Sequence, residues 1–298
     1  MTDVTSDTMT FVAEDGWELT GDLFRGRDPR IAVMITAGTG FPRRFYRHIA
    51  ADLAARGAVV LTFDYRGIGD SGSENLATSG IEYPDWGRFD MAAALEVLAE
   101  AAPGLPLTHL GHSVGGQFTG FMPNADKIAR NALVCVGSGY WGVHKPLQWP
   151  LEMYFWWLLG SFSLWRWGYF KPLGLSWEPL PEGVFRLWRR WSSRRSYLLL
   201  ELAEGRWPHQ FDTLSVPMAS WVFSDDGIAT KQAARDVLSW YPAAPATLID
   251  RRPADYGQRS IGHAGAFRRG LEPLWDELWG WLVDGHLTEN QQKIDRET

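Results

Sequence analysis

Ser113 stands in the hexapeptide "GHSVGG", with Gly111 two residues before it and Gly115 two residues after it. This is the G-x-S-x-G spacing of a strand that turns abruptly into a helix, where side chains at the flanking positions would collide. Such a turn holds a serine hydroxyl out at the end of a strand. A hydroxyl is a weak nucleophile near neutral pH, so that use of Ser113 requires a base to take its proton and an acid to orient the base. Both residue types stand in suitable places. The strand-like "WVFS" runs into Asp225 and Asp226, and "SIGHAGAFRRG" sets His263 among small residues that let an imidazole approach a serine closely. Of the 7 histidines, His48 and His109 fall within a helix and a strand, His144 and His209 in a later insert, and His286 near the end. His112 would point away from its neighbour Ser113 and serve packing or hydrogen bonding. The plain alternative is a capping serine on a glycine-rich turn. Ser, Asp and His in this order, each on the loop after a separate strand, favour a catalytic triad, with either aspartate able to fill the acid's place.

The elements needed to position these loops are readable as alternation. "MTFVAEDGWELTGDLFRG" has two alternating segments about Asp15 and Gly16, a hairpin at a sheet edge. Residues 30–38 and 57–67 are near-continuous β-branched and apolar runs, as in strands covered on both faces. The segment between them has helical spacing and ends at Gly57, a C′ glycine. A helix over 85–101, a strand "LPLTHLG", a helix after Ser113 and a strand over 131–139 continue the pattern. After an interruption come a strand over 218–224, the helix "KQAARDVLSW", a strand over 246–252 and a last helix over about 267–285. Repeated strand–helix units imply an α/β fold with a mostly parallel central sheet and helices on both faces.

The interruption spans residues 140–211 and holds Trp141, Trp149, Trp156, Trp157, Trp165, Trp167, Trp177, Trp188, Trp191 and Trp207, out of 17 tryptophans in the chain. It reads as an inserted helical lid, so the organisation expected is core (1–139), lid (140–211) and core (212–298), with a polar tail that frays. At this density tryptophan suits a hydrophobic acyl chain or alcohol, although many of these rings would also pack the insert against the sheet.

Taken together, "GHSVGG", "TFDYRGIGDS", "SDDG" and "GHAGAFR" resemble the α/β-hydrolase superfamily over nearly the whole chain. More narrowly, "FYRHIAADLAARGAVVLTFDYRGIGDS" and "LPEGVFRLWRRW" resemble a bacterial group of serine hydrolases related to peptidases and esterases of the S33 type. The resemblance implies an α/β-hydrolase fold with an inserted helical lid, Ser113 as nucleophile and His263 as base. It favours Asp226 over Asp225 as the acid. It also implies an oxyanion hole made by the backbone N–H of Val114 and of Thr39, with Gly40 as the other choice for the second donor, because Ala37-Gly38 replaces the usual His-Gly opening of that loop. The reaction expected is cleavage of a carboxylic ester through an acyl-enzyme. Thioester or amide hydrolysis and acyl transfer use the same triad, and a binding protein retaining the fold is the non-enzymatic alternative.

The other prominent features take plainer readings. In "DYRGIGDS", Asp64 and Arg66 are expected to pair with backbone in a structural turn. The run "RLWRRWSSRR" reads as a solvated arginine face above buried tryptophans. With 35 acidic against 29 basic side chains and a net charge of −6, nucleic acid is an unfavoured partner. No cysteine pair or H-E-x-x-H is present and "GTG" at Gly38 to Gly40 is too short for a phosphate loop, so neither a metal nor a nucleotide cofactor is expected. Cys135 reads as a small core residue on a strand. The start "MTDVTSDTMT" lacks a signal pattern, which favours a cytoplasmic protein. The apolar stretch 151–170 is broken by Glu152, Gly160 and Arg166, which fits transient contact with a membrane surface better than a spanning helix.

Overall fold

The computed structural model describes residues 4–72, 75–173 and 177–287, which leaves most of the polar tail outside the described residues. The first two strands, β1 (Thr5–Val12) and β2 (Glu18–Arg25), form the antiparallel hairpin about Asp15 and Gly16. Then come β3 (Ile31–Thr36), α1 (Arg47–Ala55), β4 (Ala58–Phe63), α2 (Ala92–Ala101) and β5 (Leu107–His112). All six residues of β3 and all six of β4 are buried, as continuous apolar runs require when helices cover both faces of a sheet. The α1 helix buries Ile49, Ala50, Leu53 and Ala54 on one stripe and ends before Gly57, whose φ of 101° no β-carbon would favour.

The short α3 (Val114–Gln117) follows β5 and passes into a 3-10 turn, Phe118–Phe121. This is less helix than expected, and Gly115, Gly116 and Gly120 account for it, since glycine is a poor helix former. Next is β6 (Ile128–Val134). Cys135 is buried but lies beyond the end of that strand, with a left-handed φ of 53°, not within it as expected. Residues 140–211 carry α4 (Trp149–Met153), a π-helical segment (Tyr154–Leu159), α5 (Gly160–Trp167), α6 (Glu182–Ser192) and α7 (Leu199–Ala203). The chain closes with β7 (Met218–Phe223), α8 (Lys231–Leu238), β8 (Ala246–Arg251) and α9 (Glu272–Asp284). The last helix starts five residues later than expected. Gly270 turns with φ 91°, and Pro273 fits only in a helix's first turn.

The eight strands form one sheet in the order β1-β2-β4-β3-β5-β6-β7-β8. The hairpin is antiparallel, β2 meets β4 antiparallel, and the six strands from β4 to β8 run parallel. The loops after β3, β5, β7 and β8 therefore all open on the same edge, the carboxyl end of the parallel strands.

The loop after β4 is held by ion pairs. Asp64 accepts the backbone amides of Arg43 (2.6 Å) and Asp70 (3.1 Å), and it also meets the Arg43 guanidinium. Arg66 departs from the expected backbone pairing. Its guanidinium binds the carboxylates of Asp90 (2.7 Å) and Asp15 (2.5 Å), and it is almost as buried as Asp90, which is fully so.

Candidate active site

Ser113 sits where β5 ends, with φ 51° and ψ −121°, a strained position that lifts its side chain off the sheet edge. Only glycines allow so tight a turn. A β-carbon on Gly111 would lie 2.6 Å from the α-carbon of Gly116, and one on Gly115 would lie 2.4 Å from Thr36 Oγ1. The Ser113 Oγ lies 3.1 Å from His263 Nε2, and His263 Nδ1 lies 2.8 Å from Asp226 Oδ2. Three side chains from three separate loops thus form one hydrogen-bonded line.

Burial raises the proton affinity of the Asp226 carboxyl, but the facing His263 ring and the amides of Ile228 and Ala229 outweigh it and bring the group below the usual carboxylate range. Those amides donate to Oδ1 at 2.8 and 3.1 Å, leaving Oδ2 to accept from His263. Since a carboxylate only accepts, Nδ1 carries the hydrogen and Nε2 faces the serine with a lone pair. The neighbouring Asp225 does something else. Its Oδ2 accepts from Ser260 Oγ (2.9 Å), Ile261 N (2.8 Å) and Gly262 N (3.0 Å), which holds the loop that carries His263.

His112 points away from Ser113 and makes two hydrogen bonds. Its Nε2 donates to the His263 carbonyl oxygen at 2.8 Å. Its Nδ1 therefore accepts, from the Tyr46 hydroxyl at 2.7 Å, and that hydroxyl in turn accepts the Gly38 amide at 2.8 Å. Burial, with His263 beside it, lowers the ring's pKa to about 3, so it stays neutral in this chain of bonds. Gly38, beside Thr39, is thereby tied to the backbone of His263. Nothing in the spacing of Tyr46 foretold this link. Cys135 was also unforeseen here: its Sγ lies within 4.8 Å of ligand-type atoms of Asp226 and His263. Burial, then the nearby Asp226 charge, pushes its thiol well above the ordinary range, so it stands there protonated.

A cavity of about 260 Å³ opens over Ser113 and His263, and Thr39 and Val114 line it as well. Among the described residues Gly40 is not part of its wall; it carries a φ of 77° and its carbonyl accepts the Glu178 amide at 2.8 Å. Val114 is the first residue of a helix, so its N–H has no partner within that helix. The opposite wall comes from the tryptophan-rich segment, including Phe155, Trp156, Leu159, Trp177 and Trp188. The tryptophans divide three ways. Trp191 and Trp207 are buried in packing, Trp156, Trp177 and Trp188 line the cavity, and Trp157 and Trp165 face outward. Arg189 stacks its guanidinium 5.2 Å from the centre of the half-exposed Trp157 ring, a residue outside its own run, while within that run Trp191 is buried.

The family model for serine aminopeptidase, S33, matches residues 27–178. The chain belongs to that family and, with its fold, to the α/β-hydrolase superfamily; it is a hydrolase. Among solved structures it is similar to a monoglyceride lipase of Saccharomyces cerevisiae, crystallised as a soluble variant with a substrate analogue, at 16% identity over 97% of each chain and a TM-score of 0.62. It is also similar to a carboxyl esterase of Bacillus coagulans, at 15% identity over 93% of this chain and 98% of that one, with a TM-score of 0.60. A bacterial brefeldin A esterase matches at 18% identity over 95% of this chain and 78% of that one, with a TM-score of 0.58.

Proposed function

We propose that the protein hydrolyses carboxylic esters with a hydrophobic acyl or alcohol part. The observation that carries this reading is the line Asp226–His263–Ser113 opening into a cavity walled by Phe155, Trp156, Trp177 and Trp188. Ser113 Oγ attacks the ester carbonyl while its proton passes to His263 Nε2. The amides of Val114 and Thr39 hold the oxyanion, and the leaving alcohol departs with the proton. Water then gives a proton to the same nitrogen and its oxygen to the acyl carbon, which releases the acid and restores the serine. Asp226 keeps the imidazole in the working tautomer throughout. Residues 140–211 act as the lid. The esterase and lipase structures that share the fold support an ester over an amide, while the family description makes an aminoacyl amide the second reading.

The decisive experiment is labelling with a fluorophosphonate probe, followed by rates on an ester series of rising acyl length and on an aminoacyl amide. Ser113→Ala is expected to abolish labelling and ester turnover; persistent labelling in that variant refutes the assignment. Faster turnover of the amide than of every ester would move the protein to the second reading.

The outer face of residues 147–165, which runs from the turn before α4 through the π-helical segment into α5, exposes Leu147, Leu151, Leu158, Phe162 and Trp165, the last at 80%. Leu151 also lines the Ser113 cavity, so this apolar face reaches the cavity wall. Among the described residues no helix is long and apolar enough to cross a membrane. Such a face suits transient contact with a lipid surface, from which a hydrophobic ester enters the cavity. Co-sedimentation with phosphatidylcholine–phosphatidylglycerol vesicles, lost in the pair Leu158→Ser and Trp165→Ser, tests this; equal co-sedimentation of that variant refutes it.

A further inference from the structure

We propose that the Ser113 cavity contains a hydroxyl-recognising subsite built from Glu152 and Ser192, so that the preferred substrate is an ester whose hydrophobic part bears an uncharged hydrogen-bond donor. The inference rests on the ester reading above.

Glu152 Oε2 and Ser192 Oγ are buried, and neither has a hydrogen-bond partner within the protein. Ser192 is only 1% exposed. Both residues line the cavity over Ser113. Together with Trp156 they also line a neighbouring cavity of about 270 Å³, which places them in the partition between the two. A buried polar atom without a partner is destabilising by roughly 1–3 kcal/mol. Two of them in a wall otherwise rich in aromatic side chains are explained by an occupant that brings its own polar group.

The charge of the wall selects the kind of group. His144 Nε2 lies 3.2 Å from the Ser138 carbonyl oxygen, which only accepts, so that nitrogen carries a hydrogen. His144 Nδ1 lies 2.6 Å from Glu152 Oε1. Two lone pairs would repel at that distance, so one proton sits between them. Whichever atom holds it, His144 and Glu152 together carry no net charge. Glu152 Oε2 is then an acceptor with no unbalanced charge behind it. An ammonium group there would enter a largely aromatic cavity with its charge unpaired, whereas a hydroxyl supplies the donor Oε2 needs and can accept from Ser192. The alternative is that the rings of Trp156, Trp177 and Trp188 attract a cation by their π faces.

The test uses the full chain and matched p-nitrophenyl esters at several acyl lengths, ending in methyl, hydroxyl or ammonium. At the length that reaches the partition, kcat/KM for the hydroxyl ester is expected to exceed that for the methyl ester by about tenfold or more, with the ammonium ester poorest. Ser192→Ala and Glu152→Met are each expected to bring the hydroxyl-to-methyl ratio toward one. The thermal midpoint of Ser192→Ala should match that of the parent, because Oγ bonds nothing in the protein, and this separates recognition from folding. A ratio at or below one at every length, or an ammonium ester preferred over both, overturns the inference while leaving the ester reading intact. Failure of all three ester types overturns that reading and this inference with it.

Discussion

Replacing Asp226 by asparagine is the sharpest probe of the site, because the structure dictates which way the new amide must face. Oδ1 of Asp226 accepts from Ile228 N and Ala229 N at 2.8 and 3.1 Å. The asparagine oxygen has to stay there. Turning it away would set its NH2 group against two backbone N–H donors, at about 1–3 kcal/mol for each one left unpaired. The NH2 group therefore points at His263 Nδ1, which must become the acceptor. The ring proton moves to Nε2, 3.1 Å from Ser113 Oγ, so that in the proposed mechanism His263 can no longer take the serine's proton. A wrong tautomer of this kind lowers kcat by about 10⁴-fold in the serine-protease triad. At about 1.36 kcal/mol per decade this is roughly 5 kcal/mol of transition-state stabilisation. The expected result is thus a loss of about three to four decades in kcat on a chromogenic ester, with an almost unchanged thermal midpoint. Asp225→Asn is the control. It alters the support of the His263 loop without touching the ring, and roughly tenfold or less of kcat should be lost. A variant at Asp226 that keeps more than a tenth of the parent rate, or a larger loss from Asp225→Asn, would refute the reasoning.

Three further outcomes are expected. Gly115→Ala drives a β-carbon to 2.4 Å from Thr36 Oγ1 and 2.6 Å from Thr36 O, so it should destabilise by about 1–3 kcal/mol in urea titrations and reduce fluorophosphonate labelling of Ser113. Arg66→Leu leaves the fully buried Asp90 without its main partner and should lower stability by about 3–5 kcal/mol, read as a fall in the denaturation midpoint; a neutral result would mean that Asp90 discharges at no cost. Burial, chiefly, lowers the pKa of His109 to about 4 and of His112 to about 3, from 6.5 in the unfolded chain. The unfolded state thus binds more protons below pH 6.5, and the stability these neutral rings hold above that pH is lost progressively down to about pH 4 for His109 and about pH 3 for His112. His112→Gln should reduce this slope by up to about 1.36 kcal/mol per pH unit, measured by urea unfolding between pH 6 and 4.5; an unchanged slope would refute it.

Much of the frame was legible because it depends on local pattern. The continuous apolar runs of β3 and β4, the hairpin about Gly16 and the glycine after α1 each follow from a few adjacent residues. Boundaries proved less legible where local signals compete. The glycines after Ser113 shorten α3, and the valine-rich run around Cys135 ends its pairing at Val134 because the backbone there turns left-handed. The sequence points to backbone partners for Arg66 because spacing cannot reveal Asp15 and Asp90, its carboxylate partners from other parts of the chain.

The sequence by itself determined the alternation that makes the sheet and the placing of a serine, an aspartate pair and a histidine on loops after successive strands. Only the tertiary structure decided how those side chains are used. Ser113 and His263 are 150 residues apart, and His112 bonds the His263 carbonyl across 151. Asp225 and Asp226 are chemically alike neighbours, yet one holds the loop that carries His263 and the other the His263 ring, because successive side chains on a turn leave it in different directions. The tryptophans likewise share one composition but three settings. Which of them packs, lines the cavity or meets solvent depends on how the helices of residues 140–211 rest over the carboxyl edge of the sheet, and hydrophobicity along a chain carries no information about contacts so far apart.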